Sequence, residues 1–330
     1  MRLRHYLPLV RALVSILALV LLLTLYDFRQ ILHSARSIRE AHLAVAIGFF
    51  AVNTALFIVK WTLTLPGEVA FLAAARSFLV SRFHSLLPAG QVGGELSKVL
   101  TLASHADPSV ITGSVVFDKI TGLLSLGLLG ASAWVFFPSA PVWMIVLVLL
   151  IIVGCVIALA CSPLAGTLLA TNRGGVHFLS RLRAKIALIS APIVRWTTDP
   201  WLMVRVLALG LAGQACMIVV YLLIARGLEI MLPVPELVLF VVVANLATLI
   251  PISLGGVGVR EAGLVGLLAS HGVAAESAIA LSLIVFAVFV LGVTAGAAIE
   301  CQELVYACRR LILKRRRIDA KRPRRKKGWR

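Results

Sequence analysis

The residues best suited to chemistry lie in one short segment, Gly255-Gly256-Val257-Gly258-Val259-Arg260-Glu261. Glycines let the backbone turn sharply and let its N–H groups point into a cavity. A helix beginning near Val259 aims its positive end at the same cavity. Arg260, in the first turn, adds a planar fork of donors that fits a phosphate. The segment reads as a site for an anionic lipid head group, with Gly255, Gly256, Gly258, Arg260 and Glu261 as its residues. The alternative is a tight turn between short helices, with Arg260 and Glu261 neutralising local partners. Charges inside a membrane are expensive and usually serve a role, which favours the first reading.

A second segment carries the same punctuation. An apolar run ends in Leu87-Pro88, and Gly93-Gly94, Glu95 and a new helix follow. The glycine pair lies five and six residues after Pro88, and four and five after Pro251. Pro88, Gln91, Gly93, Gly94, Glu95 and Lys98 are the candidates here. Glu95 and Lys98 are three apart and share a helix face. The plainer alternative is an ion pair on a cytoplasmic loop. Asp118 and Lys119 lie about two turns inside a later apolar run. Neighbours on a helix point in different directions, so one of them needs a partner elsewhere, and Arg260, Lys98 and Glu95 are the candidates. The alternative is a pair that snorkels to the interface. Lys60 and Arg205, near span ends, are expected to snorkel, while Asn245 and Gln214 are expected to hydrogen-bond between helices. Trp61, Trp134, Trp143, Trp196 and Trp201 read as interface anchors.

These groups sit in a very apolar chain of 330 residues. Apolar types make up 60% and charged types only 14%, where about a quarter is usual, and the mean hydropathy is +1.01. A soluble globular protein is excluded. Continuous runs near twenty residues argue for helices, because a barrel strand would read as a short alternating segment. Full spans are expected at about 8–26, 41–61, 110–137, 141–161, 202–225 and 277–299. The first could be a cleaved signal peptide, but it is long and lacks a small-residue cleavage site. The segments 69–87 and 237–249 are interrupted, and the second is too short to cross a bilayer. The fold class expected is an all-α polytopic membrane protein, with six full spans and two broken or re-entrant segments in an inverted pseudo-repeat. Such paired breaks point to a transporter's central site.

The formal net charge is +18, and residues 301–330 hold thirteen Lys and Arg against two acids. With the N-terminus inside, cytoplasmic segments carry 24 Lys and Arg and outer segments 4. Both termini are therefore expected in the cytoplasm. This basicity implies anionic lipid head groups as the partner of the tail, with no nucleic acid. Residues 1–306 form the membrane domain, 162–200 a basic loop, and 307–330 a disordered basic cytoplasmic tail. The five cysteines and seven histidines show no metal spacing, so no metal, disulfide or cofactor is expected. No GxxxxGK[ST] motif occurs, so active transport would draw on a gradient, with Glu95, Asp118 and Glu261 as proton carriers.

Three motifs together, Leu87-Pro88-x-Gly90-x-x-Gly93-Gly94-Glu95, Phe117-Asp118-Lys119 and Pro251-x-x-x-Gly255-Gly256-x-Gly258-Val259-Arg260-Glu261, resemble the membrane domain of lysylphosphatidylglycerol synthase, a flippase-like family. The resemblance covers about 40–300. It implies movement of a lipid between leaflets of a bacterial inner membrane, with lipid-synthesis enzymes as possible partners. It also implies no synthase activity, since a basic tail stands where the two-part synthases carry a soluble transferase domain. Two positions depart from the family pattern. Lys119 stands where Arg is common, and 283–290 lacks the Arg often found in the last span. The Gln91–Glu95 form resembles the branch associated with hopanoid biosynthesis, which implies an isoprenoid-type lipid. The rival functions are a lipid-modifying membrane transferase and a non-transporting scaffold of a lipid-synthesis complex. The sparse acids and missing nucleophile–base pair count against the transferase.

Overall fold

The computed structural model describes residues 29, 31, 38–87, 90–162, 177–247, 249 and 259–321. The expected first span, Pro88, and Gly255, Gly256 and Gly258 lie outside the described residues. Ten helices are described: α1 (Glu40–Thr62), α2 (Phe71–His84), α3 (Gly90–Leu102), α4 (Pro108–Val135), α5 (Val142–Ala160), α6 (His177–Thr197), α7 (Pro200–Gly227), α8 (Val234–Ala247), α9 (Val259–Ala269) and α10 (Ala275–Lys321). No strand occurs among the described residues. The protein is an all-α polytopic membrane protein.

Five helices are long and apolar enough to cross a bilayer: α1, α4, α5, α7 and the Ala275–Gln302 part of α10. The shortest, α5, has 19 residues, about 28 Å at 1.5 Å per residue. The helices α2, α3, α8 and α9 have 14, 13, 14 and 11 residues. They reach only about 16–21 Å and cannot cross a core of ~30 Å. They form two hairpins, α2–α3 and α8–α9. Chain order then fixes the sides. The first hairpin follows α1, and three crossings (α4, α5, α7) precede the second. The two hairpins therefore enter from opposite faces.

Helix starts follow local chemistry. Asp107 caps α4, accepting from the Ser109 amide and hydroxyl, with Pro108 in the first turn. Those two bonds, the hydroxyl's first, hold the Asp107 carboxyl below its ordinary range. Asp199 and Pro200 repeat the device at α7. Gly90 opens α3 with a φ of +59°, a conformation that disfavours any side chain.

The main core gathers around α8. Leu237 through Ala244 are all buried, so this helix is covered on every side. α4 makes room for it at Gly130, where a Cβ would lie 2.9 Å from Val242. The other hairpin is seated on α10 by Gly296, whose missing side chain lets the Leu79 carbonyl of α2 approach closely.

Two expectations need correction. The 162–200 segment is not simply a loop, because α6 occupies its second half. Ile193 and Trp196, three apart, are buried in a cluster with Phe117 and Cys155. That apolar stripe outweighs the basic residues on the same helix. Beyond Tyr306, α10 continues to Lys321 where disorder was expected. Residues 297–322 contain neither Gly nor Pro, and Pro323 comes next, so the helix has nothing to stop it earlier.

Candidate functional site

Asp118 lies ten residues into α4, about 15 Å along the helix and so near half the hydrocarbon thickness. A charge at that depth needs partners, and it has two. Lys60 Nζ of α1 donates to Asp118 Oδ1 at 2.8 Å and to the Asp118 backbone carbonyl at 2.8 Å. Lys98 Nζ of α3 stands 3.7 Å from Oδ2. Lys98 also reaches Glu95 Oε2 at 2.9 Å, as the i,i+3 spacing predicts. That contact is poorly aligned, and Oε2 makes no hydrogen bond despite being buried. Lys119 donates to Gln91 Oε1 at 2.7 Å and sits 3.9 Å from Glu95 Oε1. The chain Lys60–Asp118–Lys98–Glu95–Lys119 thus ties α1, α3 and α4 together.

The second hairpin contributes a separate pair. Arg260 donates from Nη2 at 2.6 Å and Nε at 3.1 Å to Glu261 Oε1. The Glu261 side chain is 3% exposed. Tyr221 of α7 lies within electrostatic reach of both.

A cavity of about 300 Å³ joins these groups. Ser85 and Gln91, flanking the first hairpin's tip, and Leu249 and Arg260, flanking the second's, all face it. Glu95, Lys98, Asp118 and Lys119 line it, and aromatic side chains such as Phe57 and Phe286 form its apolar wall. The structure therefore brings Gln91, Gly94, Glu95, Lys98, Asp118, Lys119 and Arg260 to one space, with Glu261 bonded behind. Gly93 is half-buried in α3 and off the cavity wall. Gly94 matters differently: a Cβ there would meet the Ser81 carbonyl at 2.6 Å, so it sets how close α2 and α3 pack.

Residues 9–296 match the family described as the lysylphosphatidylglycerol synthase transmembrane region. The chain belongs to that family. The matched part is a membrane region rather than a catalytic domain. No curated protein matches the chain. Arg82 of α2 lies over the Phe289 ring of α10, 5.9 Å from its centroid, and 5.3 Å from that of Phe78. Arg82 also faces the cavity.

Several expectations fail on packing grounds. Lys60 does not snorkel, because its side chain is 0% exposed and locked to Asp118. Trp61 is no interface anchor: it is fully buried, donates to Ser114 Oγ at 3.2 Å and stacks near Phe78. Trp196 is buried against Phe117. Trp143 and Trp201 are exposed, as anchors should be. Gln214 bridges helices through the Gly122 carbonyl at 3.4 Å, and Asn245, besides donating to Val241 of its own helix, hydrogen-bonds Tyr221 of α7, so both bond between helices as expected. Sequence reasoning missed Lys60 and Arg82 as site residues. Their signals were helical spacing: Asn53, Phe57 and Lys60 form one stripe, and Phe78 and Arg82 are i and i+4. Among the described residues no cluster of His, Cys, Asp and Glu could hold a metal ion.

Proposed function

We propose that the chain is a lipid translocase of flippase-like type. It moves an anionic or isoprenoid-type lipid between the leaflets of a bacterial inner membrane, with both termini in the cytoplasm. The observation carrying this reading is one charged cavity lined by residues of both hairpins, which enter from opposite sides. Among the described residues four cations line the space (Arg82, Lys98, Lys119 and Arg260) against two acids (Glu95 and Asp118). That excess suits an anionic head group, while the aromatic wall suits the start of its chains. Membrane lipids are then the partners of the domain, and the basic end of α10 lies on anionic lipid. In this reading Gly255, Gly256 and Gly258, which lie outside the described residues, belong to the same substrate-binding set.

The test is reconstitution in liposomes carrying a fluorescent anionic lipid in both leaflets. A membrane-impermeant quencher reaches only the outer leaflet. Wild-type protein should remove the protection of the inner half, and Arg260→Ala with Glu261→Gln should restore it. Equal protection in protein-free, wild-type and variant vesicles, across phospholipids and polyprenyl phosphates, would sink the reading.

A further inference from the structure

The cavity's charges pair unequally. Asp118 is taken by Lys60 at 2.8 Å, Glu95 by Lys98 at 2.9 Å and Glu261 by Arg260 at 2.6 Å. Two cations remain. Lys119 has the neutral Gln91 at 2.7 Å and only a longer 3.9 Å share of Glu95. Arg82 makes no ion pair and no hydrogen bond among the described residues, and lies between two Phe rings. Residues 248 and 250–258, between α8 and α9 in the chain, carry no charged side chain. Arg82 and Lys119 both line the cavity, and the Glu95 and Asp118 carboxylates lie within electrostatic reach of each, although both acids are already ion-paired to Lys98 and Lys60.

The described lining still holds two more cations than acids, an excess that a bound anion would balance. Arg82 offers a planar fork, Lys119 a point charge, and both suit phosphate oxygens. A phosphate diester brings one negative charge. A monoester brings about two at pH 8, well above its second pKa of about 6. The flanking phenyl rings keep the Arg82 head in place by cation–π contact, so little order is lost when an anion docks.

We propose that the cavity selects a lipid whose head group ends in a phosphate monoester, seated between Arg82 and Lys119. This rests on the translocase reading of the same cavity and narrows its substrate.

The test uses purified full-length protein in a non-ionic detergent at pH 8. The probes are phosphatidic acid, a monoester, and phosphatidylmethanol, its singly charged diester. Binding is measured by native mass spectrometry and by displacement of a fluorescent phosphatidic acid. Wild type should hold the monoester about tenfold tighter, the scale expected for one further charge-assisted contact. Arg82→Gln should narrow the gap to about twofold or less, while Arg82→Lys, which keeps the charge, should retain most of it. The Arg82→Lys variant, with unfolding midpoints for all three proteins, separates a lost seat from a lost fold. Inorganic phosphate is the competing arm. Displacement of the lipid by phosphate from wild type but not from Arg82→Gln assigns the seat to the phosphate itself. A persisting lipid gap without displacement assigns it to the lipid-borne group. Both support a monoester seat. Equal affinity for the two lipids, or a gap unchanged in a folded Arg82→Gln, overturns it. No transport in vesicles, with the binding gap intact, refutes translocation and leaves the seat. Transport with equal affinities refutes the seat and leaves translocation.

Discussion

Replacing Asp118 by Asn removes the only carboxylate, among the described residues, within ion-pairing reach of a fully buried lysine. Lys60 is 0% exposed, 2.8 Å from Oδ1. At an effective dielectric of 20, a unit pair at that distance interacts by about 6 kcal/mol. The folded state has already spent much of that on desolvating both groups, so the attraction is not the net effect. What the substitution leaves behind is a buried, uncompensated ammonium, typically about 3–5 kcal/mol. The second contact, Lys98 to Oδ2 at 3.7 Å, adds less, because Lys98 keeps Glu95 at 2.9 Å. Asp118→Asn should therefore lose about 3–5 kcal/mol of unfolding free energy. SDS titration in mixed micelles measures it, with buried Trp61 as a nearby fluorescent reporter. The decisive comparison is Lys60→Met with Asp118→Asn. Removing the stranded charge as well should recover at least about half the loss, giving a coupling energy of about 2 kcal/mol. Additive single effects, or an Asp118→Asn loss below about 1 kcal/mol, would show that Lys60 reaches water and that the network is a surface feature.

Two glycines of the membrane helices should respond in opposite directions. Gly48 of α1 has nothing within 4 Å of an added Cβ, so Gly48→Ala should be neutral or stabilising by up to about 1 kcal/mol on helix propensity. Gly296 of α10 packs on the Leu79 carbonyl of α2, so Gly296→Ala should cost about 1–3 kcal/mol by overpacking. It should also slow lipid translocation, because α2 carries Arg82; unfolding titrations and the quencher assay read the two effects. Trp61→Phe should leave Ser114 Oγ without its indole donor and cost about 1 kcal/mol, read by unfolding titration.

How far the sequence could reach depended on whether an interaction is local. The Glu95–Lys98 pair and the Asp118–Lys119 conflict are legible because helical spacing alone decides which neighbours can meet. The two hairpins are legible because length and glycine punctuation mark segments too short to cross. Lys60 is different. At the end of an apolar run, a lysine that snorkels and one that is sealed look the same. What seals it is α7, where Gly210 has no side chain and so leaves room beside the Lys60 stem. Trp61 misleads for the same reason: a Trp at a span end suggests an interface until α2 packs Phe78 over it. Arg82 was hidden among Arg76 and His84 in one interrupted run. Only the approach of Phe289, some two hundred residues away in sequence, turns that arginine inward.

The distribution of ion pairs bears on how such a cavity could open. Lys98–Glu95 lies within the first hairpin, and Lys60, Lys98 and Lys119 tie that hairpin to α1 and α4. Arg260–Glu261 and His271–Glu236 lie within the second hairpin and the loop that follows it. Among the described residues no ion pair runs from one hairpin to the other. Separating the hairpins therefore breaks no ion pair between their described residues. Breaking a buried pair instead would cost several kcal/mol and lock the site shut. A bistable element needs states only a few kcal/mol apart. A head group bridging the cations of the first hairpin and α4 to Arg260 would be a charged link between the halves. In this reading the lipid itself couples the two tips, and its departure frees them to part on the opposite side.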